Sequence, residues 1–134
     1  MKKISAIIII LAITTTISAS FLLHQPNDII ADIGNAIKTG NATTVSKYFN
    51  STLDLIVPGN DGTYSKSQAE LILKDFFLKN LPKSFTISHQ GSSNDGSLYA
   101  IGNYVTDSGS FRTYFLLKKM NAGYLIQKLE FEGE

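Results

Sequence analysis

The stretch SFRTYFLLKK, residues 110–119, alternates in the way a β-strand does. Phe111, Thr113, Phe115 and Leu117 fall on one side, and Arg112, Tyr114, Leu116 and Lys118 on the other. Both sides carry large apolar groups, so each needs a cover. Three further strand-like runs lie around it: SFTISHQ (84–90), SLYAIGNYVT (97–106) and YLIQKLEFE (124–132). The turn clusters GSSNDG, DSG and NAG separate them. Connections this short make the four strands antiparallel neighbours.

Register decides which side is the core. A two-residue loop at Ser108 and Gly109 sets Gly102 opposite Phe115 and Ala100 opposite Leu117. A three-residue loop at Asn121, Ala122 and Gly123 sets Phe115 opposite Leu129 and Thr113 opposite Phe131. The two-residue alternative would turn Lys128 toward the Phe115 side, and burying that charge is costly. Pairing Gln90 with Ser97 brings Phe85, Ile87 and His89 beside Gly102, Ala100 and Leu98. One face then collects Phe85, Ile87, Leu98, Phe111, Phe115, Leu117, Leu125, Leu129 and Phe131, which is the expected core.

Upstream, Ile29, Ile30, Ile33, Ala36 and Ile37 recur at helical spacing between Pro26 and Gly40. Asn41 caps a second helix carrying Val45, Tyr48 and Phe49 on one face. STLDLIV (51–57) reads as a strand closed by the turn cluster PGNDG. In YSKSQAELILKDFFLKNLP (64–82), Ser65 with Gln68 or Ser67 with Glu70 offers a capping box, and Ala69, Ile72, Leu73, Phe76 and Phe77 form an apolar stripe. Pro82 ends that helix. The economical arrangement is α+β, a curved antiparallel sheet of five strands with the helices packed on its concave face.

The first residues are read separately. Lys2 and Lys3, the apolar run Ile4–Ile13 and the small residues ending in Ser18, Ala19 and Ser20 have the layout of a secretory signal peptide. This gives a signal at 1–19, a tether at 20–27 and one domain at 28–134. A retained anchor is the alternative, and either reading places the remainder outside the cytoplasm, periplasmic or extracellular. Removing Lys2 and Lys3 from twelve basic residues leaves ten against eleven acidic, so the rest is near neutral. Nothing supplies the concentrated basic surface that nucleic acids require. The chain has no cysteine, which removes lipidation at a cysteine, disulfides and thiolate chemistry.

The helix–helix–strand–helix–four-strand order resembles the nuclear transport factor 2-like cone, also called cystatin-like. AIKTGN, KYFNS, YSKSQAELILKDFF, SHQGSS, YAIGNY and FRTYFLLKK resemble more specifically a small exported bacterial family in that superfamily, of uncharacterised function. The resemblance covers nearly all of the chain after the signal. It implies an open cone usable as a pocket and pairing through the outer sheet face, but no single activity, because this fold hosts isomerases, dehydratases, ligand-binding domains and interaction modules.

An isomerase-type cone needs a buried carboxylate base with an oxyanion-stabilising tyrosine. The polar groups expected on the core face are His89, Tyr104, Thr113 and Gln127, none of them a carboxylate. Asp54, between Leu53 and Leu55, is expected to face outward. His24 and His89 have no metal-ligand spacing, and GNDG lacks the acidic residues of a calcium loop. Neither cofactor nor metal is expected. The reading is a non-catalytic exported domain whose mouth, at His89, Tyr104, Thr113 and Gln127, takes a small apolar molecule or a peptide segment. Ile101, Tyr114, Leu116 and Ile126 form an apolar island on the outer face, expected to pair with a second copy as a homodimer. The alternatives are an isomerase or dehydratase using His89 or Asp54, and a structural module whose cone is filled by its own side chains.

Overall fold

The computed structural model describes residues 26–134; the expected signal, and the tether up to residue 25, lie outside the described residues. Three helices and six strands follow in the order α1 (Pro26–Thr39), α2 (Ala42–Ser46), β1 (Phe49–Val57), β2 (Asn60–Ser65), α3 (Lys66–Lys79), β3 (Ser84–Ser92), β4 (Leu98–Thr106), β5 (Gly109–Met120) and β6 (Gly123–Gly133). The strands make one curved, open sheet in the order β2-β1-β6-β5-β4-β3. This is the expected α+β class, with two corrections to the sheet. There is a sixth strand, β2, and the sheet is mixed, because β1 runs parallel to β6 while every other pair is antiparallel.

Local chemistry sets the helix ends. Asn41 caps α2, its side chain accepting from the Thr44 N–H at 3.1 Å. At α3, the Ser65 hydroxyl accepts from the Gln68 N–H while the Gln68 side chain accepts from the Ser65 N–H, so the box is the Ser65–Gln68 one. α2 stops at Ser46, sooner than expected, because Phe49 already belongs to β1 and is buried in the core.

All three hairpins of β3–β6 differ in register from the sequence expectation. The β4–β5 turn is Asp107–Ser108, so Ala100 faces Phe115, Gly102 faces Thr113 and Tyr104 faces Phe111. Thr106 fixes it: its hydroxyl donates to the Gly109 carbonyl at 2.9 Å and accepts from the Ser108 N–H at 3.2 Å. The shift is by two residues, so every side chain stays on its expected face. The β5–β6 turn has only Asn121 and Ala122, with Gly123 at φ +110°. A bulge between Leu116 and Leu117 then skips Gln127, which restores Phe115 opposite Leu129 and Thr113 opposite Phe131. The bulge achieves what the longer loop was expected to achieve: Lys128 stays off the Phe115 side. Its consequence is that Ile126 turns inward and is fully buried, while Leu125 is only half-buried.

A third irregularity lies in β3, where the pairing slips between Ile87 and His89. Phe85 faces Tyr104 and Ile87 faces Gly102, two residues along from the expected Gly102 and Ala100, and beyond the slip His89 faces Ile101 rather than Leu98 and Gln90 faces Ala100 rather than Ser97. The core is made by α1 and α3 on one face of the sheet, with Phe85, Leu98, Phe115, Leu117, Leu129 and Phe131 buried as expected and Ile87 and Phe111 packed against them.

Gly102 lets the sheet wall thin at one point. A Cβ there would lie 2.6 Å from Phe85 Cζ and 2.9 Å from the Thr86 carbonyl oxygen. Gly102→Ala is therefore expected to destabilise the domain by about 1–3 kcal/mol in urea unfolding. Adding Phe85→Leu should give no full recovery, because the Thr86 backbone contact remains; a neutral Gly102→Ala would contradict this packing.

Candidate functional site

The space beneath the sheet is lined by rings. Phe76 on α3 lies 4.6 Å from Phe131, 5.2 Å from Phe111 and 5.7 Å from Tyr104 between ring centroids. Phe77 stacks on Tyr104 at 6.0 Å and meets Phe131 edge-on at 6.1 Å. These are separations at which aromatic pairs attract. Phe85 covers Gly102, the position where a cavity under the small strand residues would open.

The four polar residues expected at the mouth are not brought onto one surface. Tyr104 and Thr113 are fully buried in the cone interior. The Tyr104 hydroxyl donates to the Asn80 carbonyl at 2.5 Å, and Thr113 Oγ1 donates to the Phe111 carbonyl. His89 is on the outer face, exposed, its Nε2 3.1 Å from the Tyr99 hydroxyl; the β3 bulge turned it there. Gln127 is the residue skipped by the β6 bulge, and its Oε1 accepts from Asn50 Nδ2 at 3.0 Å across the parallel β1–β6 seam. Among the described residues, no buried side-chain nitrogen or oxygen lacks a hydrogen-bond partner.

The outer face is likewise rearranged. Ile126 is withdrawn into the core, correcting its expected outward placement. Ile101 pairs with Tyr114, and Leu116 with Tyr99, across β4 and β5, and all four are half-buried. Lys128 lies 5.8 Å over the Tyr114 ring and 3.1 Å from Glu130, so charge borders this island closely. Asp54 faces outward as expected, exposed, and accepts from the Thr63 hydroxyl at 2.6 Å. Among the described residues, no three His, Cys, Asp or Glu side chains are grouped to hold a metal.

An external cleft of about 420 Å³ opens at the other end of β3, between Ile30, Leu98 and Tyr124 and the backbone-rich Gln90–Asn94 segment. Among the described residues, no acidic, basic or histidine side chain lines it. Sequence reading missed it, because it arises from the packing of α1 against the far ends of β3, β4 and β6. The GSSNDG turn was its one visible component.

Six strands curved around α1 and α3 define the class: an α+β protein of nuclear transport factor 2-like, cystatin-like fold. The sequence matches, over residues 30–132, the family described as domain of unknown function DUF4783, and the chain belongs to that family. A DUF4783 family protein from Bacteroides ovatus is similar at 31% identity, covering 78% of this chain and 94% of its own, with a TM-score of 0.73. Two more distant structures share the fold. An NTF2-like protein of unknown function from Cytophaga hutchinsonii is 11% identical, covers 81% and 88%, and has a TM-score of 0.56. A domain of unknown function with a cystatin-like fold from Nostoc punctiforme is 13% identical, covers 78% and 72%, and has a TM-score of 0.61. Comparison with curated proteins found no match.

Burial raises the Tyr104 phenol above the ordinary tyrosine value, and burial followed by the charge of Asp32 does the same to Tyr48. The unfolded chain releases the Tyr104 proton near its ordinary value while the folded chain keeps it. Stability is therefore full below about pH 10 and declines as pH rises above it. Tyr104→Phe should lower stability at neutral pH by about 1–2 kcal/mol, because the Asn80 carbonyl loses its donor. The same substitution should make the alkaline decline shallower. An unchanged alkaline slope in pH-dependent urea unfolding would show that Tyr104 ionises freely.

Proposed function

We propose that the protein is an exported, non-catalytic interaction module whose cone is filled by its own rings, so that it binds partners on its outside. The observation that supports this is the Phe76, Phe77, Tyr104, Phe111 and Phe131 cluster, whose rings pack at 4.6–6.1 Å between α3 and the sheet. A small apolar molecule or peptide held by His89, Tyr104, Thr113 and Gln127 would need those groups on one surface, and they stand on three. An isomerase-type mechanism would need a buried base, and Asp54 and His89 are both solvent-facing. Export rests on the layout of residues 1–19.

The test is expression of the full chain with its leader, followed by mass analysis and ligand titration of the product. The expected N-terminus is Ser20 or Phe21, recovered outside the cytoplasm. A thermal-shift series with lauric acid, indole and a steroid should leave the melting temperature unchanged. A ligand at a hundred times its Kd would add about 2.7 kcal/mol. A saturable rise removed by Thr113→Val would instead establish a cone ligand.

A further inference from the structure

The external cleft at the far end of β3 lies beside the start of α1. Ile30, on its floor, is four residues into that helix from Pro26, or about 6 Å along the axis. Leu98 at the start of β4 and Tyr124 at the start of β6 complete the apolar lining. Ile30 and Leu98 are buried, and Tyr124 is half-buried. The rest of the lining, Gln90–Asn94 and Gly96, is uncharged. β3 is also the last strand of the sheet on this side, and an edge of this kind is commonly covered by a loop or a helix. At about 420 Å³ the cleft has room for several side chains.

The sequence just before α1 offers a filling of matching chemistry. Phe21, Leu22 and Leu23 are three consecutive apolar residues of the expected tether, followed by His24 and Gln25. They bring no acid and no fixed positive charge, so they can enter a neutral cleft without burying an unpaired ion. Their reach is sufficient. Leu23 is three residues from Pro26 and Phe21 is five, about 10 Å and about 17 Å of extended chain, against the 6 Å or so from Pro26 to Ile30. The residue before a proline favours extended over helical backbone, which makes Pro26 a place for the chain to turn back along α1. A segment joined to the wall of the cleft is present there at an effective concentration on the order of mM, an advantage that a free ligand or a second copy lacks.

We propose that Phe21, Leu22 and Leu23 fold back over the first turn of α1 and dock in the cleft between Ile30, Leu98 and Tyr124, covering the end of the β3 edge. The tether is then a strap that completes the domain.

Urea unfolding of residues 20–134, the chain expected after cleavage, against residues 26–134 tests it. The longer chain should be the more stable, with an unfolding constant lower by about tenfold or more. Phe21→Ser together with Leu23→Ser should remove that gain and bring the longer chain to the level of the shorter. Tyr124→Ala should raise the unfolding constant about fivefold more in 20–134 than in 26–134, a coupling that a helix lengthened at its start would not produce. Equal stability of the two chains overturns the proposal, and so does an equal cost of Tyr124→Ala in both. A gain that disappears on dilution overturns it in favour of exchange of the segment between copies. Equal stability, with 20–134 but not 26–134 co-sedimenting with phosphatidylcholine–phosphatidylglycerol vesicles, overturns it in favour of a membrane surface. The cleft shares no lining residue with the ring cluster, so each of these results leaves the filled-cone reading as it stands.

Discussion

The contact between Phe76 of α3 and the rings of Phe131, Phe111 and Tyr104 on the sheet fixes the rest of the molecule. It holds α3 at a height where Phe77 also reaches Tyr104. The Tyr104 hydroxyl, bonded to the Asn80 carbonyl at the end of α3, ties the same helix to β4 through the middle of the cone. Truncating one such ring costs about 3–5 kcal/mol, a large share of the stability of a domain this size. The proposed role on the outer surface follows from reading this interior as packing.

The outside is shaped by three departures from regular pairing. The β3 slip after Ile87 sends His89 to the outer face. The β6 bulge withdraws Ile126 and offers Gln127 to Asn50. A matching irregularity in β1, between Phe49 and Asp54, lets a strand that leaves the helices run parallel beside β6. Bulges bend and twist the strands that carry them, and here they accompany the curvature that wraps the sheet around α1 and α3.

Much of the fold was legible because periodicity and capping are local signals. The Ser65–Gln68 box, the Asn41 cap and the alternation of Phe111, Thr113, Phe115 and Leu117 all stand in the structure as read. The strand β2 was not legible, because NDGTYS is an edge strand with little apolar content and looks like the end of a turn. The site was legible only in part, for a reason of register. Tyr104 and Thr113 lie inside because even shifts preserve facing, whereas His89 and Ile126 changed sides because each follows or accompanies a one-residue bulge. Composition does not announce a bulge; it is selected by keeping Lys128 in solvent and Leu129 in the core together.

Whether the cone is filled can be measured directly by diffraction from crystals held under xenon pressure, since xenon enters dry apolar voids and leaves packed rings alone. No xenon is expected among Phe76, Phe77, Tyr104, Phe111 and Phe131 in the unsubstituted protein, and an ordered atom is expected there in Phe76→Ala. Xenon bound inside that ring cluster in the unsubstituted protein would contradict a filled cone.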